Sequence, residues 1–125
     1  MPASPVVLVA EDNAELRQVL KDTLVAEGYE VLTARDEAEA QERLRVTRVD
    51  LLISDLSDTR RGYQSLDELR QEFPNLPVIA LSDAAGEHPS LFFAAWQAPH
   101  LYFSLPKPFK LGDVLAATRH LLRTA

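Results

Sequence analysis

Five side chains able to handle charge stand directly after short apolar runs. Glu11 and Asp12 follow Val6–Ala10, and Asp55 follows the run from Val49 to Ser54. Ser82, with Asp83 beside it, follows Pro77–Leu81, and Lys107 follows Leu101–Leu105 between Pro106 and Pro108. Two carboxylates brought to ~4 Å repel by about 4 kcal/mol at an effective dielectric near 20. Such a pair is relieved by a retained proton, with a raised pKa, or by a hard cation. Mg²⁺ takes oxygen ligands, accepts few carboxylates and keeps several waters. A shell completed by water leaves a place for a phosphate oxygen. A lysine reaching the same crevice grips a phosphoryl group as a point charge, and a serine adds a hydroxyl donor. A carboxylate nucleophile, a cation site, an ammonium and a hydroxyl are together what forming an aspartyl phosphate requires.

These groups meet only if the intervening chain brings the run ends together. Apolar runs alternate with helical patterns from end to end. Val6–Ala10 reads as a first strand. Leu16, Val19, Leu20 and Leu24 then recur at helical spacing and stop at Gly28. Tyr29–Ala34 reads as a second strand, ending on Ala34, Arg35 and Asp36. Glu37–Val46 is helical, with Ala38 and Leu44 on its apolar side and Ala40 less well placed. Val49–Ser54 is a third strand, and Leu66, Leu69 and Phe73 mark a third helix stopped by Pro74. Pro77–Leu81 is a fourth strand, Leu91–Trp96 a helix, and Leu101–Leu105 a fifth strand. Leu111, Val114, Leu115, Thr118, Leu121 and Leu122 line a closing helix. Strands alternating with helices give βαβ units, a parallel sheet and an α/β fold. Apolar throughout, these strands fit a sheet covered on both faces, hence doubly wound, and right-handed crossovers are expected. In such a sheet ligands bind beyond the carboxyl ends of the strands, where the five charge-handling residues lie.

Composition narrows the function further. A chain of 125 residues is expected to be one domain over 1–125, with residues 1–5 a loose N-terminal end. The 46% hydrophobic content argues against disorder. The 13 basic and 19 acidic residues, net −6, disfavour direct nucleic-acid binding, which calls for a basic face. The absence of cysteine excludes disulfides, thiolate zinc sites and cysteine nucleophiles. His88, His100 and His120 lack the spacing of a metal-ligand pair. The N-terminus has no basic flank and too short an apolar run for a signal peptide. No segment approaches the ~20 apolar residues that span a bilayer. No membrane partner is expected, and a cytoplasmic location follows by default.

"VLVAEDN", "LLISDL", "PVIALSD" and "LPKPF", in that order, resemble the receiver domain of two-component response regulators. The resemblance covers almost the whole chain. It implies a single five-stranded, flavodoxin-like (β/α)5 sheet with strand order 2-1-3-4-5, an arrangement commonly seen in doubly wound folds. It implies that Asp55 accepts a phosphoryl group from a histidine kinase or histidine phosphotransfer protein. Asp12 and Asp55 would bind Mg²⁺ directly, Glu11 through water, and Ser57 through its backbone carbonyl. Ser82 would be the switch hydroxyl and Lys107 the phosphoryl-binding lysine. Such a domain is an autocatalytic acceptor with slow self-dephosphorylation rather than a turnover enzyme, and its phosphate switches a downstream effector protein or domain.

The sequence departs from the family pattern in places. The position four after Asp55 is Thr59 where most receivers have proline, and Gly62 comes seven residues on rather than eight. That loop carries Asp58, Arg60 and Arg61. Asp58 could add to the metal site, and the arginines read as solvated charge. The spacing from Asp55 to Ser82 is about one residue shorter than usual, and from Ser82 to Lys107 about three longer. Ser104 stands at the place of the switch aromatic, with Tyr102 and Phe103 just upstream. Leu91, Phe92, Phe93 and Trp96 are too many for one helix face, so part of the 88–125 face is a candidate homodimer or partner surface. These departures motivate an alternative, a receiver-like protein-binding module whose output does not depend on phosphorylation. A haloacid-dehalogenase phosphatase is a weaker alternative: "DLSDT" is one residue too long for its loop, and it follows the third strand rather than the first. An FMN-binding flavodoxin fits worse, since its phosphate loop is rich in hydroxyls.

Overall fold

The computed structural model describes residues 4–55, 69, 71–82 and 101–124. The strands are β1 (Val6–Ala10), β2 (Glu30–Ala34), β3 (Leu51–Asp55), β4 (Val78–Ser82) and β5 (Tyr102–Pro106). The described helices are α1 (Ala14–Ala26), α2 (Glu37–Val46) and α3 (Leu111–Thr124), the last being the closing helix expected from the sequence. All strand pairs are parallel, in the order β2-β1-β3-β4-β5.

Strand alternation splits the core in two. Leu8, Ala10, Leu52, Val78, Ala80 and Tyr102 face α2, which contributes Ala40 and Leu44. Val7, Val9, Leu51, Ile53, Ile79, Leu81 and Leu105 face α1 and α3, which contribute Leu20, Leu24, Val114, Ala117 and Leu121. Described helices thus lie on both faces, and the inner strands β1, β3 and β4 are apolar on both sides because they are buried from both. Two helix-face readings change. On α2, Ala40 is the buried alanine and Ala38 is exposed; on α1, Val19 is 43% exposed. At about 100° per residue, Ala40 and Leu44 stack one turn apart, whereas Ala38 lies nearly on the opposite face.

The helix ends are set locally. Asn13 caps α1, its Oδ1 accepting from Leu16 N–H at 3.0 Å. Gly28, at φ +97°, closes it: its N–H bonds Val25 O, and Tyr29 N–H bonds Leu24 O. This double closure needs the left-handed conformation that glycine adopts most readily. Asp36 caps α2, accepting from Glu39 N–H at 2.8 Å. Phe73 N–H bonds Leu69 O, a helical turn directly before Pro74, where the third helix was expected to stop.

The strand bounds differ slightly from the apolar runs. β3 reaches Asp55, which pairs with Leu81, and β4 reaches Ser82, which pairs with Pro106. Pairing is a backbone property, so a polar side chain does not end it. Pro5 O accepts from Glu30 N–H, so the bonding of β2 begins one residue before β1. Residues 56–68, 70 and 83–100 lie outside the described residues, and with them the expectations for Ser57, Asp58, Arg60, Arg61, Gly62, Asp83 and the Leu91–Trp96 helix.

Candidate phosphoryl-acceptor site

The register that aligns the strands also aligns their carboxyl ends. β1 is an inner strand, flanked by β2 and β3, so the residues after Ala10 lie beside the end of β3. Glu11 extends β1 by one bond, its N–H donating to Ala34 O at 3.0 Å. By strand alternation its side chain follows Val7 and Val9 inward, whereas Asp12 is exposed. Asp55 closes β3 with its side chain 8% exposed. One carboxylate oxygen from each of Glu11, Asp12 and Asp55 lies within 4.8 Å of the others.

Lys107 reaches this cluster from β5. Its Nζ donates to Asp55 Oδ2 at 2.9 Å and lies 3.8 Å from Glu11 Oε1. β5 is separated from β3 by β4, so the lysine stem must span that strand, and its ammonium does so. The peptide joining Lys107 to Pro108 is cis.

One cation among three carboxylates leaves negative charge over. Glu11 bears the consequence. The residue is 2% exposed, and neither carboxylate oxygen has a hydrogen-bond partner among the described residues. Burial first, then the neighbouring Asp55 carboxylate, and then Asp12, push its pKa from 4.5 up to about 8. The Lys107 ammonium pulls the other way. Buried, unpartnered carboxylate oxygens facing two more carboxylates are the donor set of a hard divalent cation.

Of the residues singled out in the sequence, Glu11, Asp12, Asp55 and Lys107 come together. Ser82 ends β4, between the ends of β3 and β5. Tyr102 is buried in the α2-side core, Ser104 is exposed on the same side, and Phe103 is 38% exposed on the other. One neighbour had escaped the sequence reading. Arg17 Nη1, on α1, donates to the carbonyl oxygen of Glu11 at 2.8 Å. Its signal was a cation near a helix N-terminus, where the helix dipole favours anions.

The fold agrees with what similar proteins show. A sequence profile described as "Response regulator receiver domain" matches residues 7–119. Response regulator MprA of Mycobacterium ulcerans is 33% identical over 120 residues, 94% of this chain and 50% of that protein. The chain thus spans about half the length of that relative. A response regulator from Thermotoga maritima superposes with a TM-score of 0.80 at 25% identity, covering 96% of this chain and 98% of the other. The T. maritima response regulator TrrA, solved in complex with Mg(2+)-BeF, gives 0.76 at 25% identity over 94% and 98%. Strand order, the acidic cluster at the carboxyl end of the sheet and the profile match thus converge, and the chain belongs to the response regulator receiver domain family.

Proposed function

We propose that the chain accepts a phosphoryl group on Asp55 from a phosphohistidine donor, in a pocket that binds Mg²⁺. The observation that carries this reading is the Lys107 ammonium, 2.9 Å from Asp55 at the edge of a three-carboxylate cluster. An Asp55 oxygen attacks phosphorus in line with the donor. The new P–O bond forms as the P–N bond breaks, and the histidine nitrogen keeps the electron pair. No proton need move at Asp55, which enters the step as a carboxylate. Lys107, already at Asp55, neutralises charge on the transferring oxygens. Asp12 and Asp55 would hold Mg²⁺ directly and Glu11 through water, with the Ser57 carbonyl, outside the described residues, as a further ligand. Bound Mg²⁺ would supply charge neutralisation for the phosphoryl oxygens. Ser82, next to the ends of β3 and β5, is the switch hydroxyl. Hydrolysis returns the carboxylate slowly, with water attacking phosphorus and inorganic phosphate leaving.

A histidine kinase or phosphotransfer protein is the donor, and a downstream effector reads the phosphorylated state. Residues 1–125 act as one receiver domain. No described helix is long and apolar enough to cross a membrane, and the proposed chemistry belongs in the cytoplasm. Incubation with acetyl phosphate and Mg²⁺, read by intact mass, tests the reading. One added phosphoryl group is expected on the wild type and none on Asp55→Asn. No addition to the wild type, or equal addition to both, overturns it.

A further inference from the structure

We propose that Arg17 is a positioning residue of the cation site, holding the Glu11–Asp12 peptide so that both carboxylates face Asp55; this rests on the magnesium reading above. The link from β1 to α1 is short, with only Glu11, Asp12 and Asn13 between the two elements. Glu11 is tied on both sides. Its N–H bonds Ala34 O of β2, and its carbonyl accepts from Arg17 Nη1 at 2.8 Å. The carbonyl belongs to the peptide that joins Glu11 to Asp12. Turning that peptide changes ψ of Glu11 and φ of Asp12 together, and so re-aims the Asp12 side chain.

The location of the arginine argues for such a task. It is the fourth residue of α1, whose N-terminal end disfavours positive charge. The first turn carries the acid expected there, Glu15. A cation placed against that preference is offset by a specific bond, and the bond runs to the backbone of the acidic loop. Partners that orient ligands are worth about 10- to 100-fold in metal affinity.

The sign of the effect separates positioning from bystander electrostatics. If Arg17 were only a nearby positive charge, removing it would tighten binding of a second cation. If it positions the loop, removing it weakens binding although repulsion falls.

The experiment is calorimetric titration of MgCl₂ into wild type, Arg17→Met and Arg17→Lys. It is paired with thermal unfolding and hydrogen–deuterium exchange of segment 8–14, both in EDTA. We expect Arg17→Met to bind Mg²⁺ about tenfold more weakly, to exchange faster in segment 8–14, and to unfold at nearly the wild-type temperature. Arg17→Lys, keeping the charge and a donor, should recover most of the affinity. Unchanged or tighter binding by Arg17→Met overturns the proposal while leaving the magnesium reading intact. So does a lowered unfolding temperature with unchanged affinity, the mark of a purely structural arginine. A wild type that binds no Mg²⁺ overturns both.

Discussion

Replacing Glu11 by glutamine removes the charge whose burial the metal-free protein tolerates least. The pKa of Glu11 rises from 4.5 to about 8 on folding, through burial and then the Asp55 and Asp12 carboxylates. Between those values the native state holds a proton that the unfolded chain has given up. Stability therefore falls as pH rises through this window. The contribution is fully present below about pH 4.5 and is lost by the time pH has passed about 8. The distance between the two values, at about 1.4 kcal/mol per pH unit, comes to roughly 5 kcal/mol. That is a large part of the 5–15 kcal/mol by which domains of this size are stable. Glutamine fills the same volume, carries no charge and has amide hydrogens to donate to Asp55 and Asp12. Glu11→Gln should thus match the wild type near pH 5 and exceed it by several kcal/mol near pH 9. Urea unfolding in EDTA at several pH values measures this through the midpoint at constant slope. Wild-type and variant stability curves that run parallel across the window would refute the reasoning. Saturating Mg²⁺ should restore the wild type at high pH, by about 3 kcal/mol at a hundredfold excess over Kd.

Other consequences follow from the same geometry. Lys107→Met removes the ammonium that lies 2.9 Å from Asp55 and 3.8 Å from Glu11. It should raise the Glu11 pKa further, seen by carboxyl NMR, and lower stability near pH 8 by about 3 kcal/mol. A Glu11 pKa unmoved by Lys107→Met would show that the lysine does not act on it. Mg²⁺ binding should release protons around neutral pH and tighten from about pH 6 to about pH 8. Calorimetry in buffers of different ionisation enthalpy checks the release, and heats independent of buffer would contradict it. Leu121→Ala, at a fully buried position of α3 in the α1-side core, should cost about 2–5 kcal/mol by urea unfolding. Under 1 kcal/mol would mean that this face relaxes far more than its packing suggests.

The fold was legible because the strands are largely apolar and alternate with helical patterns, some of which carry their own stop. Gly28 announced the end of α1, and the structure closes the helix there with two bonds. The edges of the strands were less legible. Apolar runs report burial, whereas pairing reports the backbone, so Asp55 and Ser82 belong to strands that composition ended one residue earlier. Lys107 was readable because proline brackets and its position after an apolar run set it apart from ordinary surface lysines.

Glu11 and Asp12 looked equivalent in the sequence, and in the structure they are not. Adjacent residues leave an extended chain on opposite sides, so only one of the two acids is buried although both carboxylates reach the Asp55 cluster. The bond from Glu11 N–H to Ala34 O prolongs the strand alternation by one step. Glu11 therefore follows Val9 into the interior and Asp12 stays in water. That single step decides which acid bears the raised pKa. Arg17 was hidden for a related reason: its partner is a backbone oxygen, and no pattern of side-chain types reports a carbonyl. Side-chain chemistry in the sequence identifies which groups can act. The direction each one faces is fixed by main-chain bonds from neighbouring elements, here β2 and α1 acting on the two sides of Glu11. A substitution that leaves every acidic residue in place can therefore still disable the site if it turns that one peptide.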